Sequence, residues 1–324
     1  MLPVIIGVTL VVFLTMRVLP GDPARLLLRD QGASPEQVAA LRAQLGLDDP
    51  LPVQYLRYLS DVARGDLSTS FSMRRPVLDI ILSRVPATVE LAMVAVLLAV
   101  VIGVLAGTLA AMNAGKAIDY LATSLSTVGL SIPSFWIGLM LILYFAANLQ
   151  VLPSFGRFDD AVQLQRVTGL HLLDGVLTGN LPALRSALRH LLLPSVALGI
   201  VLATYITRVV RAAMVEALAQ DYTRTAAAKG VGRWGVALRH GFRNVLLPVV
   251  TLVGVQLGNL LSGAIVVETV FAWPGLGRLV VDAIYQRDFP LVQGAVLLFA
   301  LMRLVLNLLT DLLYARIDPR ISYG

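Results

Sequence analysis

Few residues in this chain have types and spacings that suggest chemistry, and most of them lie in or beside long apolar runs. Glu90 stands near the start of one run, and Arg303, Asn307 and Asp311 interrupt another. The spacing i, i+4, i+8 puts those three along one side of a helix. Gln256, Asn259 and Ser262 recur every three residues and share a broad face. Ionisable groups within apolar helices either pair inside the bundle or mark a route for a polar solute. The same two readings stand for the polar trio, which either bonds a neighbouring helix or lines a passage. For Glu90, close to the end of its run, snorkelling or capping is the simplest account. Covalent chemistry has less to work with. There is no cysteine, and His171, His190 and His240 are scattered, so neither a thiolate nucleophile nor a cysteine-based metal site is available. No H-E-x-x-H or G-x-S-x-G occurs, and Gly115-Lys116 runs into Ala117 without the spacing of a phosphate-binding loop. Gly230-Val-Gly232-Arg-Trp-Gly235 has the form G-x-G-x-x-G, but a helix-favouring run, 226–229, precedes it where a dinucleotide site needs a strand. The expectation is a non-catalytic chain that binds no cofactor or metal itself.

The elements that must position these residues are membrane spans. Of 324 residues, 57% are hydrophobic and 14% charged, against about 25% charged in a soluble domain. Residues 91–112, 120–156 and 244–267 carry no charge at all, and about 20 such residues cross a bilayer as a helix. Six spans are predicted: 2–19, 88–112, 119–149, 191–210, 245–267 and 289–315, the last interrupted by Arg303 and Asp311. The first resembles a signal-peptide core but lacks a basic lead and an A-x-A site, and is read as a retained span. Gly103/Gly107 and Gly254/Gly258 would let helices pack closely, and Pro133 should kink the third span. Basic residues concentrate on the cytoplasmic side. Residues 208–243 hold Arg208, Arg211, Arg224, Lys229, Arg233, Arg239 and Arg243 against Glu216 and Asp221, and the tail holds Arg316 and Arg320. With six spans both termini fall inside, and residues 20–87 and 150–190, nearly balanced in charge, fall outside. The formal net charge of +6 therefore reflects membrane anchoring, and nucleic acid is not an expected partner.

The most informative stretch is the cytoplasmic loop. It reads as a short helix from Asp221 to Lys229, a break at Gly230 and Gly232, and a second amphipathic run from Trp234 to Asn244 that leads to Leu247-Pro248. Either it is an ordinary loop held at the membrane by its arginines, or it presents a short rigid surface to a partner.

This loop resembles the coupling segment, or EAA loop, of permease subunits in binding-protein-dependent ABC importers. Within that family it is similar to the B-type permeases of the dipeptide, oligopeptide, glutathione and nickel branch. The matching residues are Asp221-Tyr222-x-Arg224-Thr225-Ala226-x-Ala228-Lys229-Gly230, then Arg239-His240-x-x-Arg243-Asn244-x-x-Leu247-Pro248. Arg224-Thr225-Ala226 stands where the general pattern has Glu-Ala-Ala, as in the peptide branch. Further motifs follow the same branch in order: Leu19-Pro-Gly-Asp-Pro23, Leu45-Gly-Leu-Asp-x-Pro50, Gly65-Asp-Leu-Ser68, Ser131-x-Pro-x-Phe-Trp-x-Gly138, Phe271-Ala-Trp-Pro-Gly-Leu-Gly277 and Asp318-Pro-Arg-Ile321. The start departs from the pattern, since the family opens with an Arg-rich stretch and this chain begins at Met1-Leu2-Pro3.

The resemblance implies an all-α integral membrane protein with six transmembrane helices in the type I ABC importer permease fold. Helix 1 covers 1–19, an external segment 20–87, a five-helix core 88–315, and a cytoplasmic tail 316–324. Within the core, 150–190 and 268–288 are external loops and 211–244 is the cytoplasmic coupling loop. The implied partners are a second homologous permease in a heterodimer, two ATPase subunits that bind the ATP and Mg, an extracytoplasmic substrate-binding protein and the lipid bilayer. The implied location is a bacterial or archaeal cytoplasmic membrane. Asp221, Tyr222, Thr225, Ala226, Lys229, Gly230 and Arg233 would then contact the ATPase, while Gln256, Asn259, Ser262 and Arg303 would line the pathway. Peptides are the expected cargo, with glutathione or nickel on the same architecture as the alternative, and a stand-alone secondary transporter as the reading from another class.

Overall fold

The fold is described from a computed structural model covering residues 2–18, 24–25, 34–44, 46–159 and 161–317. The motifs at 19–23 and 318–321, Leu45 and the tail arginine Arg320 lie outside the described residues, as do the side chains of Asp311, Arg316, His240 and Arg243.

Among the described residues the only regular secondary structure is helix, apart from an isolated bridge between Thr69 and Pro76. In order the helices are α1 (Leu2–Val18), α2 (Pro35–Gln44), α3 (Leu51–Ala63), α4 (Val77–Met112), α5 (Ala117–Ser131), α6 (Ser134–Leu141), α7 (His171–Leu177), α8 (Leu181–Ala219), α9 (Asp221–Ala228), α10 (Phe242–Val270), α11 (Leu276–Gln286) and α12 (Phe289–Ile317). Four stretches are long and apolar enough to cross a membrane: Val77–Met112, Leu181–Ala219, Asn244–Val270 and Phe289–Thr310. The pair α5 and α6, extended by a π-helical stretch Ile142–Asn148, makes one further broken span. Apolar α1, at 17 residues, is shorter than a full crossing. Helices suit these segments because each backbone N–H is satisfied within its own segment, which hydrocarbon demands.

Pro133 does more than kink its span. Proline disfavours helical backbone in the residue before it, and Ile132 is extended, at φ −95° and ψ 126°. The helix stops at Ser131, restarts at Ser134, and the two halves meet at 104°.

The chain divides into two compact units, residues 1–85 with 279–304 and residues 86–278 with 305–324. In the first, Tyr55 and Tyr58 of α3 pack on Phe13 of α1, and the buried Asp288 accepts from Ser70 Oγ, Ser72 N–H and Ser72 Oγ at 2.5, 2.9 and 2.7 Å. The second unit is built on α8. Glycines bring α4 against it at backbone contact. A methyl at Gly103 would lie 2.6 Å from Ile206 Cβ, one at Gly107 2.7 Å from the Thr207 carbonyl, and one at Gly199 2.6 Å from the Ala95 carbonyl. Small residues drive such packing in lipid because dispersion at short range replaces the missing hydrophobic effect. Gly254 serves the same purpose, since a methyl there would meet Thr310.

Candidate functional site

The loop 211–244 forms a shaped platform. Helix α9 buries Thr223 and Ala226, three residues apart, and exposes Asp221, Tyr222, Thr225, Ala227, Ala228 and Lys229. Thr223 Oγ1 fastens the junction with α8 by donating to the Gln220 carbonyl at 2.6 Å and the Leu218 carbonyl at 3.0 Å. The stop is a Schellman motif: Gly230 N–H reaches the Ala227 carbonyl at 3.0 Å and Val231 N–H the Ala226 carbonyl at 3.2 Å. Gly230 carries φ +85°, with nothing within 4 Å of where a Cβ would sit. The glycine is there for the left-handed turn and not for close approach.

After the turn, Arg233 donates from Nη2 to the Met112 carbonyl at 2.7 Å, which ties the loop to the end of α4. Asn244 Nδ2 donates to the Tyr222 hydroxyl at 2.5 Å. The second run does not form a separate helix. One turn, Arg233–Gly235, passes into π-helix over Val236–Gly241 and then directly into α10. Val236 and Ala237 are buried beneath it, and a cavity of about 240 Å³ bounded by Met112, Leu218, Thr223 and Val231 lies under α9.

Two sequence expectations change here. Ala226, expected on the outward face, is 8% exposed and faces its own chain; burying Thr223 one turn earlier carries Ala226 inward with it. Arg233, expected as a partner contact, holds an internal bond as well. The outward surface also includes residues the sequence reading passed over, Trp234 at 51% and Leu238 at 56% exposure. The available signal was a pair of large apolar residues at i, i+4 inside a strongly charged loop.

The base of the broken span is pinned nearby. Arg211 is bidentate on the buried Asp119 through Nε and, at 2.7 Å, Nη2, and the Gly115 N–H donates to the same carboxylate at 2.9 Å. Arg208 donates to Thr127 Oγ1 at 3.0 Å. Two arginines read as general membrane anchors thus have specific partners.

The polar trio on α10 faces a cavity only in part. Gln256 and Asn259 line a space of about 170 Å³ between α6, α8 and α10, whereas Ser262 is exposed and bonded to the Gly258 carbonyl at 3.4 Å. Arg303 lies exposed in the first unit, with Asn307 exposed one turn on, in the second.

Glu90 overturns its expected role. It is 4% exposed and does not snorkel. Arg157 grips it through Nε at 3.0 Å and Nη2 at 2.6 Å, and the Leu172 N–H donates to its other oxygen at 2.7 Å. The same Arg157 donates to the Gly169 carbonyl at 2.7 Å and stacks over Trp273, 5.9 Å from its ring centre. The Trp273 indole in turn donates to the Ala87 carbonyl at 2.9 Å. Loop 150–180 is thereby clasped to the end of the spans. Burial pulls the Arg157 guanidinium below its usual range. His171 is held down at about 4, first by burial and then by Arg157 and Arg166, so it is neutral near pH 7. Burial disfavours the Asp174 carboxylate, but donors on Thr168 and Gly169 outweigh it and keep the group below the usual range.

Glu268, fully buried on α10, was not singled out by the sequence. It accepts from Thr88 Oγ1 at 2.6 Å, Gly277 N–H at 2.7 Å and Arg278 N–H at 3.1 Å. A methyl at Gly275 would overlap its carboxylate, 2.2 Å from one oxygen. The Trp-Pro-Gly-Leu-Gly run therefore wraps a carboxylate that starts α11.

Long apolar helices, one of them broken, joined by a well-capped polar loop define a polytopic membrane protein. Residues 79–323 match the family described as "Binding-protein-dependent transport system inner membrane component", and residues 1–92 match the N-terminal family of the same membrane component. The chain belongs to this family of importer membrane subunits. It is 42% identical over 323 residues to the dipeptide transport system permease protein DppB of Alkalihalophilus pseudofirmus, covering 100% of this chain and 97% of that one. It is 43% identical over 325 residues to DppB of Escherichia coli K12, covering 99% and 96%. It is 41% identical over 323 residues to the glutathione transport system permease protein GsiC of Salmonella paratyphi A, covering 100% and 96%. Among solved structures, a chain of the inward-facing MetNI methionine ABC transporter superimposes with a TM-score of 0.54 at 16% identity, covering 74% of this chain and 96% of that one. The fold is the all-α type I ABC importer permease fold.

Proposed function

We propose that this chain forms half of the passage of an ATP-driven importer for dipeptides or short oligopeptides, and that loop 211–244 receives the force for transport. The observation that carries the coupling role is the exposed helix α9, anchored underneath by Thr223 and Ala226 and stopped by Gly230. A helix with a fixed underside and a polar outer face transmits displacement as a rigid body. The outer face, with Asp221, Tyr222, Thr225, Lys229, Trp234 and Leu238, enters a groove on an ATPase subunit. Arg233 and its bond to Met112 pass the motion to the end of α4, and the Arg211–Asp119 pair passes it to the base of the broken span. A second homologous permease completes the passage, a binding protein delivers cargo to the external loops, and both termini lie in the cytoplasm.

The peptide assignment rests on the dipeptide permeases among the relatives. A glutathione permease at 41% identity supports a second reading, and glutathione is itself a small peptide. The test is uptake by the full complex in proteoliposomes, with dialanine, tetra-alanine, glutathione and nickel offered through the native binding protein. Dialanine uptake that needs ATP is the expected result. Uptake by the chain alone, without ATPase subunits, would overturn the coupling role.

A further inference from the structure

Beside the break at Ile132 and Pro133, α6, α8 and α10 line the partly open 170 Å³ cavity. Leu198, Leu202 and Leu260 supply apolar wall, and Ser134, Gln256 and Asn259 are its polar groups. No charged residue lines it among the described residues. Asn259 Nδ2 donates to Gln256 Oε1 at 2.8 Å. That bond leaves the Gln256 amide donors and the Asn259 carbonyl acceptor without a protein partner among the described residues. Reversing both amides exchanges the two roles and leaves the same complement, one donor group and one acceptor.

A peptide bond carries one N–H and one C=O on a planar unit. A carboxamide pair with one donor and one acceptor matches that main-chain unit and ignores side chains. Charged lining would instead select cargo by charge. The volume is below the roughly 300 Å³ of ordinary ligand pockets. A small contact of this kind suits a passage, where binding must be weak enough to release.

We propose that Gln256 and Asn259 form a main-chain contact for peptide cargo, pairing with the C=O and N–H of a passing peptide bond independently of its side chains. This inference rests on the peptide reading above. The experiment uses the complete complex with its binding protein and compares two probes, dialanine and its analogue methylated on the amide nitrogen. Each is presented as saturating loaded binding protein. Gln256→Leu with Asn259→Leu should slow dialanine about tenfold. The methylated probe already lacks one of the two hydrogen bonds, so it should slow only about threefold. Retained ATP hydrolysis stimulated by loaded binding protein reports an assembled complex. If the double variant fails to assemble, Asn259→Ala takes its place with the same contrast between probes. Equal slowing of both probes, or none, overturns the contact. A wild-type complex that carries neither probe overturns the peptide reading and this inference together, whereas transport of both with equal slowing overturns the contact alone.

Discussion

Gly230 offers the sharpest test of how the loop works. Its φ of +85° lies in the left-handed region, and no atom comes within 4 Å of where a methyl would sit. A side chain at 230 therefore meets no obstacle, and the whole cost is backbone strain. For alanine that is about 1–2 kcal/mol, and for a β-branched residue such as valine it is larger. Asparagine and aspartate tolerate the region best. If the Schellman turn must form before α9 engages its partner, about 1–2 kcal/mol lowers the competent population by about fivefold to thirtyfold once the turn's own surplus stability is exhausted. The assay is ATP-driven uptake in proteoliposomes, with the amount of inserted chain measured in parallel. The expected order is glycine, asparagine, alanine, valine, with insertion unchanged throughout. Gly230→Asp, matched to asparagine in backbone tolerance, isolates the added charge on the docking face and is expected to uncouple transport. Asparagine as damaging as valine would refute the backbone argument, and normal uptake in Gly230→Asp would refute the docking assignment.

Three further outcomes follow from the same geometry. Truncating Arg157 to alanine strands a buried carboxylate at Glu90 and should destabilise the protein by about 3–5 kcal/mol, read as a lower thermal midpoint in detergent; Glu90→Gln with Arg157→Met should recover much of it. His171 is held at about 4 against about 6.5 when unfolded. The unfolded state therefore binds more protons between those values, and the stability from neutral His171, full above 6.5, is lost as pH falls from 6.5 to 4. Melting curves across that window should show a steeper decline for the wild type than for His171→Gln. Trp234→Ala and Leu238→Glu alter exposed side chains, so the thermal midpoint should hold within the scatter of surface substitutions. Copurification with ATPase subunits should fall; undiminished copurification would remove them from the docking face.

Much of this protein was legible in its sequence because the governing physics is local. An uncharged apolar run must satisfy its own backbone in lipid, so it becomes a helix wherever it lies. Gly230 ends α9, and Pro133 disturbs its span, through the backbone preferences of single residues. Gln256 and Asn259 share a face through helical periodicity alone.

The rest was decided by contacts between distant parts of the chain. Glu90 sits at an apolar boundary in sequence, where snorkelling is the natural reading, yet it is buried because Arg157, 67 residues away, meets it. Glu268 is buried on Thr88, 180 residues before it, and on the backbone of Gly277 and Arg278. Local pattern could not show that Ala226 turns inward. Pro133 ends the helix locally, but the 104° between the two halves is a tertiary quantity that no single residue's backbone preference sets. Sequence by itself determined which apolar segments are helices, because hydrogen bonding along a helix is satisfied within a few residues, but not how far they run, since the expected spans 88–112 and 191–210 extend as Val77–Met112 and Leu181–Ala219. Tertiary structure alone decided which polar groups are buried and with whom, because desolvating a charge is tolerable only where a partner from elsewhere in the chain arrives to meet it.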